Sequence, residues 1–295
     1  MKRHYEMAKS IDITIVRDVP YATQSASQKL DIYMLTKRDK PCPVIMWMHP
    51  GGFHEGDKDG SAIAPLAIVN MIKLVQPMLE REYAAVSVNY RLSQEAIFPA
   101  LMFDVKAAIR WIRANAAKYK FNPDKVAAWG SSAGGYLAAM LATAGDVEEL
   151  EDLSLGHADQ SSRVTAAVDW YGPTDFLLMD PQHIQLGQEA HVHDAESPES
   201  RLMGAAVTSV PDKCKAASPM TYISPTSAPI FIQQGMGDPV IPYPQSVMLA
   251  EKMKGAIGEE NVFFELIEKV GHADPVFFAL ENVHKALDFL DRYMR

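Results

Sequence analysis

The sequence feature that most constrains the fold is residues 125–136, where an apolar run leads into Gly-Ser-Ser-Ala-Gly at 130–134. The pattern predicts a buried strand, a sharp turn and a helix over residues 133–143. A Cβ at either glycine would collide with neighbouring backbone in so tight a turn. The serine at its centre projects its hydroxyl beyond the sheet edge, towards the N–H groups that begin the helix. Ser132, rather than its neighbour Ser131, is therefore the candidate nucleophile.

Strand patterns alternate with helix patterns along the rest of the chain. Because parallel neighbours need long crossover connections, this alternation predicts an α/β fold: a mostly parallel sheet of roughly eight strands with helices on both faces. We expect one domain over residues 1–295. Residues 121–124 predict a turn. The first two strands are predicted to be antiparallel and half-exposed. The predicted strands are 11–19, 29–35, 44–48, 84–90, 125–130, 164–171, 229–234 and 261–267. Predicted helices lie near 62–81, 99–119, 133–143, 244–254 and 275–293.

Hydrophobic periodicity is lost between residues 174 and 217. This segment is rich in Asp, Pro, His, Gln and Ser and contains only short apolar patches. A long insertion of this kind between core elements is typical of a lid over a site. We therefore expect an irregular cap here.

Composition favours a soluble cytoplasmic protein with a small-molecule partner, and it leaves a homo-oligomer open. The net charge of −9 argues against a nucleic-acid or anionic-membrane surface. Cys42 and Cys214 are too few for a disulfide framework. The first ten residues contain no apolar core of a signal peptide, and no segment has the length of a membrane span.

A serine hydroxyl becomes a useful nucleophile when a histidine accepts its proton and an acid orients that histidine. Asp238 follows the predicted strand 229–234, and His272 follows the predicted strand 261–267. In open α/β sheets such side chains lie on loops after the carboxyl ends of strands. Ser132, Asp238 and His272 are thus the predicted catalytic residues, and Asp175 is the alternative acid.

The loop after the strand 44–48 can supply hydrogen-bond donors for an oxyanion. It reads His-Pro-Gly-Gly-Phe over residues 49–53. Pro50 has no N–H, so the predicted donors are the backbone N–H groups of Gly51, Gly52 and Ala133. Phe53 and His54 follow this loop and are candidate substrate-binding residues.

The chain resembles α/β-hydrolase esterases of the hormone-sensitive-lipase-like and acetyl-xylan/feruloyl-esterase-like groups. The resemblance extends over nearly the whole chain from about Asp31 and includes the order Ser, Asp, His. It implies the α/β-hydrolase fold and cofactor-free ester hydrolysis through an acyl-serine, with short acyl groups, often acetyl and sometimes on sugars. Departures are Pro50, Phe53 in place of a usual tryptophan, and Met236 in a turn that often begins His-Gly. The segments that carry the resemblance are 49–58, 89–93, 98–111, 130–135, 171–175, 197–202 and 237–242.

Other functions remain open at this level. The same residues would serve an amidase of the kynurenine-formamidase kind, and a non-catalytic small-molecule receptor on this fold is a further alternative. His191 and His193 alternate in the insertion without a nearby Cys or carboxylate at ligand spacing, so we expect no metal. His183 and this pair could instead contact substrate.

Overall fold

Eight strands form one sheet in the order β1-β2-β4-β3-β5-β6-β7-β8. This is seen in a computed structural model, of which residues 11–61 and 69–295 are described. β1 pairs antiparallel with β2 and β2 with β4, whereas the remaining neighbours are parallel. The strands are β1 (Ile13–Pro20), β2 (Lys29–Leu35), β3 (Cys42–Met48), β4 (Ala84–Val88), β5 (Phe121–Ser131), β6 (Ala166–Trp170), β7 (Ile230–Gly235) and β8 (Val262–Ile267).

Helices cover both faces of the sheet. One face packs against α1 and α9, and the other against α2, α4 and α8. This is the α/β-hydrolase fold that the sequence predicts. The helices are α1 (Met71–Glu80), α2 (Ala100–Ala114), α3 (Ala116–Tyr119), α4 (Ala133–Thr143), α5 (Phe176–Gln185), α6 (Pro198–Met203), α7 (Pro211–Ala216), α8 (Pro244–Ile257) and α9 (Leu280–Met294). Among the helices described, none is long and apolar enough to cross a lipid bilayer.

A tryptophan cluster fills the centre of the α1/α9 face. β3, β5 and β6 each contribute one indole, from Trp47, Trp129 and Trp170, and all three are fully buried. Their ring centroids lie 4.9 to 6.4 Å apart in edge-to-face arrangements. Each such contact adds about 0.5–1.5 kcal/mol to the gain from burial. The cluster packs β3, β5 and β6 against one another, and Ser132 directly follows β5.

The prediction for the first two strands is confirmed in pairing and wrong in burial. β1 and β2 are antiparallel, but Leu30 to Tyr33 of β2 are buried on both faces. β2 lies between β1 and β4, so its alternating residues contact the core on one side and Tyr83 and α1 on the other. Of these two strands, β1 is the exposed one, at an edge of the sheet.

Several predicted boundaries also shift. Residues 121–124 belong to β5 rather than to a turn, because Phe121 pairs with Cys42 of β3. The helix predicted over 99–119 divides at Asn115 into α2 and α3. The last helix begins at Leu280, after a 3₁₀ turn at Pro275–Phe278. Residues 62–68 of the helix predicted near 62–81 lie outside the described ranges.

The segment 174–217 is more regular than the sequence predicts. It contains α5, α6 and α7, and Phe176, Met179, Leu202 and Val207 are buried in the core of the α2/α4/α8 face. These helices are short and two begin at a proline, so a periodicity search over a helix-length window misses them.

Candidate active site

Ser132 stands on a strained turn between β5 and α4. Its φ of 54° and ψ of −120° lie where residues other than glycine are rare. A Cβ on Gly130 would overlap the Gly134 carbonyl, and one on Gly134 would overlap the Met48 carbonyl at the end of β3. The two glycines are therefore required by close backbone approach. The Ser132 hydroxyl does not cap α4, so it is available to another partner.

The structure brings Ser132, His272 and Asp238 into one hydrogen-bonded chain. His272 Nε2 lies 3.0 Å from Ser132 Oγ, and His272 Nδ1 lies 2.8 Å from Asp238 Oδ2. Asp238 is 1% exposed and Ser132 is 9% exposed. A buried carboxylate on Nδ1 fixes the tautomer in which Nε2 is unprotonated and can accept the serine proton.

Asp238 accepts hydrogen bonds at both carboxylate oxygens. Oδ1 accepts from the backbone N–H groups of Val240 and Ile241, at 2.8 and 2.9 Å. Oδ2 accepts from Gln234 Nε2 at 3.0 Å as well as from His272. Gln234 is itself held by donation to the Gly235 and Ile241 carbonyls. These four contacts use the acceptor sites of the carboxylate and hold it in place.

Two loops must meet for this contact to form, and a glycine allows it. Asp238 follows β7 and His272 follows β8. A Cβ on Gly235 would overlap the Val270 carbonyl, and the Gly237 N–H donates to that same carbonyl at 2.9 Å. The loops thus touch through backbone, and this close approach places the carboxylate beside the imidazole.

Tyr171 and Gln234 are site residues that the sequence search misses. The Tyr171 ring packs edge-on against the His272 ring, with centroids 5.0 Å apart. Burial raises the pKa of Tyr171 above its usual value, so the phenol stays neutral. Tyr171 also has a φ of 47°, the backbone strain expected where a strand ends at a functional site. Its position directly after β6 was the signal that could have identified it.

The loop after β3 carries the predicted oxyanion donors. Gly51 and Gly52 have φ of 131° and 55°, which favour glycine. Within residues 11–61 and 69–295, the N–H groups of Gly51, Gly52 and Ala133 make no hydrogen bond. The Gly51 carbonyl accepts from the N–H groups of His54 and Glu55, which closes the loop. Donor groups left without protein partners can bind a developing oxyanion.

His49 and Pro50 hold the base of this loop. The His49 ring stacks on Tyr90 with centroids 4.4 Å apart, and its Nδ1 lies 2.8 Å from the Pro50 carbonyl. The Tyr90 hydroxyl donates to the His49 carbonyl at 2.8 Å. Burial lowers the pKa of His49, so the ring is neutral. His49 is a buried structural residue.

Phe53 and His54, the candidate substrate-binding residues, differ in exposure. Phe53 is buried and packs against Tyr136 and Phe176, with ring centroids 5.3 and 6.1 Å away. The His54 ring Nδ1 lies 2.9 Å from the Gly52 carbonyl. His54 lines an open cleft with residues of α6 and the loop that follows it.

The other acids lie elsewhere. Asp175 is the N-cap of α5, where Oδ1 accepts from the N–H groups of Leu177 and Leu178. Asp274 accepts from the Val276 N–H at the start of the 3₁₀ turn rather than capping α9. Asp238 is therefore the carboxylate that contacts His272.

The insertion histidines do not converge. His191 is exposed beside Asp194, which raises the pKa of the ring by a hydrogen bond. His193 Nε2 lies 3.2 Å from the Leu177 carbonyl, and His183 Nδ1 lies 2.8 Å from Gln188 Oε1. In the part of the chain that the structure describes, no group of three or more His, Cys, Asp or Glu side chains is arranged to hold a metal ion.

Comparisons with known proteins agree with this geometry. Residues 30–253 match the family model BD-FAE. The chain is 28% identical over 275 residues to esterase LipQ of Mycobacterium tuberculosis, covering 92% of this chain and 57% of LipQ. It is 27% identical over 273 residues to the probable carboxylic ester hydrolase LipM of the same organism, covering 92% and 58%. The chain thus spans less than two thirds of either relative.

A solved structure gives a likeness over almost the full length of both chains. A truncated form of a carbohydrate esterase from gut microbiota superimposes with a TM-score of 0.83 and 30% identity, covering 95% of this chain and 96% of that one. A second likeness, to esterase 2 of Thermogutta terrifontis, has a TM-score of 0.69 and 21% identity over 99% and 97% of the two chains, and it supports the fold alone.

Proposed function

The chain belongs to the BD-FAE family, and from that premise we propose that it is a serine carboxylic-ester hydrolase acting on short acyl esters. The observation that carries the proposal is the hydrogen-bonded chain from Ser132 Oγ through His272 to Asp238. The likeness to LipQ, LipM and the carbohydrate esterase supports the same class of reaction.

In the first step Ser132 Oγ attacks the ester carbonyl while His272 Nε2 takes the serine proton. The resulting imidazolium is stabilised by the Asp238 carboxylate. His272 then returns the proton to the departing alkoxide, and the alcohol leaves. Water, deprotonated by the same nitrogen, attacks the acyl-serine and releases the carboxylic acid. Ester bond and water are consumed, and acid and alcohol are formed.

The tetrahedral intermediates carry a negative charge on the former carbonyl oxygen. The N–H groups of Gly51, Gly52 and Ala133 donate to it, and Ala133 does so from the first turn of α4, where the helix dipole also favours negative charge. Pro50 supplies no N–H, so the site relies on the two glycines after it. Removing one donor from such a site typically lowers kcat by about 10²–10³.

We propose that the acyl group is small and is acetyl. Phe53, directly after the Gly51–Gly52 pair, and Tyr136, four residues after Ser132, pack with Phe176, and all three are buried. Bulky rings on both segments that carry the proposed site favour a short acyl chain. The alcohol is proposed to be a sugar such as a xylo-oligosaccharide, which the likeness to a carbohydrate esterase supports. Helices α5 to α7, in residues 174–217, would act as the cap over it.

The first test uses a fluorophosphonate probe, which labels activated serines. We expect labelling of the wild type and its loss in Ser132→Ala. Ser131→Ala is the matched control, since Ser131 is the adjacent, fully buried serine and should leave labelling intact. Equal labelling of the wild type and Ser132→Ala would reject Ser132 as the nucleophile.

The second test measures hydrolysis of p-nitrophenyl acetate, butyrate and octanoate. The proposal expects kcat/KM to be highest for acetate and to fall steeply with chain length. A preference for octanoate would overturn the acetyl assignment. Absence of turnover on all three, by a folded protein, would overturn the esterase proposal.

A further inference from the structure

The first turn of α6 lies across the proposed site. Ser197 caps the helix by accepting from the Ser200 N–H, and its hydroxyl donates to the Val192 carbonyl, which fixes the turn. Pro198 comes next, and its Cβ would be 3.4 Å from a Cβ built on Gly52. Glu199 follows, and its carboxyl group interacts electrostatically with His272. Consecutive residues thus face the oxyanion loop and the imidazole.

Glu199 faces a cleft of about 380 Å³ on the Asp238 side of the site. Pro239 and Val240, directly after Asp238, form one wall of this cleft, and Val192 and Pro198 add further aliphatic surface. None of its lining residues is Phe, Tyr or Trp. Glu189, Asp194 and Glu196 bring further carboxylates to the cleft, together with His183 and His191. Ser132 and His272 do not line this cleft, so it would hold a part of the substrate remote from the reacting carbonyl.

Glu199 is a largely buried residue whose carboxyl group has no hydrogen-bond partner from another residue in the described part of the chain. It is 6% exposed. Within the described residues, no other residue donates a hydrogen bond to its carboxylate, and the one contact is with its own backbone N–H. Burial raises its pKa to about 7, and nearby Asp180 adds to this effect while His272 opposes it. A buried acceptor with unused lone pairs costs free energy unless a ligand supplies a donor.

We propose that Glu199 is a specificity residue that binds a hydroxyl of the alcohol portion of the substrate, and that this alcohol is a neutral sugar. The inference rests on the proposed function, in which Ser132 hydrolyses an ester. Sugar hydroxyls donate the hydrogen bond that Glu199 lacks, and the C–H face of a pyranose fits the aliphatic wall. Carboxylates around the cleft repel an acidic sugar. The lining offers no aromatic face for a quaternary ammonium group.

The test compares two acetyl esters that differ in the alcohol. One is a monoacetylated methyl β-xyloside, and the other is p-nitrophenyl acetate, whose alcohol has no further hydroxyl. In Glu199→Ala we expect kcat/KM for the xyloside ester to fall about tenfold or more relative to kcat/KM for p-nitrophenyl acetate, mainly through KM. Glu199→Gln should lose less, because its amide oxygen still accepts a hydrogen bond.

Glu251→Gln is the control, because Glu251 is an exposed carboxylate of α8 that lies outside the cleft. It should change the ratio of the two kcat/KM values less than about twofold, as expected for a solvated surface carboxylate. A proportional loss on both esters in Glu199→Ala would overturn the proposal and assign Glu199 an effect on His272. An unchanged ratio would overturn it as well.

Failure of the esterase proposal gives a different result, since the wild type would then release acetate from neither ester. Sugar binding can still be measured by saturation-transfer NMR with methyl β-xyloside. Binding to the wild type that disappears in Glu199→Ala supports the sugar subsite, whereas no binding to the wild type overturns it.

Discussion

Asp238→Asn should abolish turnover without disturbing the fold. The hydrogen-bond partners of Asp238 determine the orientation of an asparagine amide at this position. The position of Oδ1 faces two backbone N–H donors, from Val240 and Ile241, so the amide oxygen must occupy it. The amide NH₂ group then occupies the position of Oδ2, 2.8 Å from His272 Nδ1.

An NH₂ group there selects the wrong histidine tautomer. It donates to His272 Nδ1, so the ring proton moves to Nε2, which faces Ser132 Oγ at 3.0 Å and can no longer accept its proton. The same NH₂ group also faces Gln234 Nε2, another donor. Turning the Gln234 amide over would break its bonds to two backbone carbonyls. We therefore expect the amide to remain in this orientation and kcat to fall about 10⁴-fold, close to 5.5 kcal/mol.

The assay is kcat on p-nitrophenyl acetate at pH 7.5, with the melting temperature of each variant measured alongside. Asp175→Asn is the control, because Asp175 caps α5 and asparagine caps a helix equally well. It should keep kcat within about threefold of the wild type, as expected for a conserved cap. If Asp238→Asn kept more than a tenth of the wild-type kcat while Ser132→Ala was inactive, the tautomer argument would be refuted.

Two further predictions concern stability. Gly134→Ala should lower the free energy of unfolding by about 3 kcal/mol or more, because its Cβ would overlap the Met48 carbonyl. Gly255→Ala should raise it by about 0.5–1 kcal/mol, because no atom lies within 4 Å of the added Cβ. Denaturant titration measures both changes, and equal effects would contradict the packing argument. Burial raises the pKa of the Asp169 carboxyl from 3.8 to about 7. The contribution of the neutral carboxyl to the free energy of unfolding is therefore complete below pH 4 and is lost as the pH rises through 7. The change is on the order of 4 kcal/mol. The melting temperature of Asp169→Asn should therefore rise relative to that of the wild type between pH 4 and pH 8. The control Asp39→Asn, at an exposed position, should show no such trend. A difference in melting temperature that does not change with pH would show that Asp169 does not ionise in this range.

Local backbone chemistry explains which parts of the fold could be predicted. α4 begins and ends where the sequence places it, because two glycines and a serine leave the chain few alternatives at the turn. Asp238 and His272 were found from their positions after β7 and β8, since the ends of parallel strands meet at one edge of a sheet. Each of these signals lies within a few residues of the element it identifies.

Features that depend on packing between distant segments could not be predicted. β2 alternates like an exposed strand, but its burial follows from a place between β1 and β4 that its own residues do not encode. Glu199 reads as an ordinary acid in the first turn of a short helix, where carboxylates are common. Its burial beside His272 arises only when α6 packs over the loops of the sheet.

The tryptophan cluster and the contact between Ser132 and His272 need different numbers of strands, which has a consequence for the order of folding. The indoles of Trp47, Trp129 and Trp170 come together once β3, β5 and β6 have paired. The contact between Ser132 and His272 joins residues 140 positions apart and also needs β7 and β8. The Ser132–His272 contact thus needs two more strands than the indole cluster does. Three of the four tryptophans lie in the cluster, and the fourth, Trp111, is in α2. In a refolding chain, indole fluorescence therefore reports mainly closure of the sheet centre, while recovery of hydrolysis marks the docking of its last two strands.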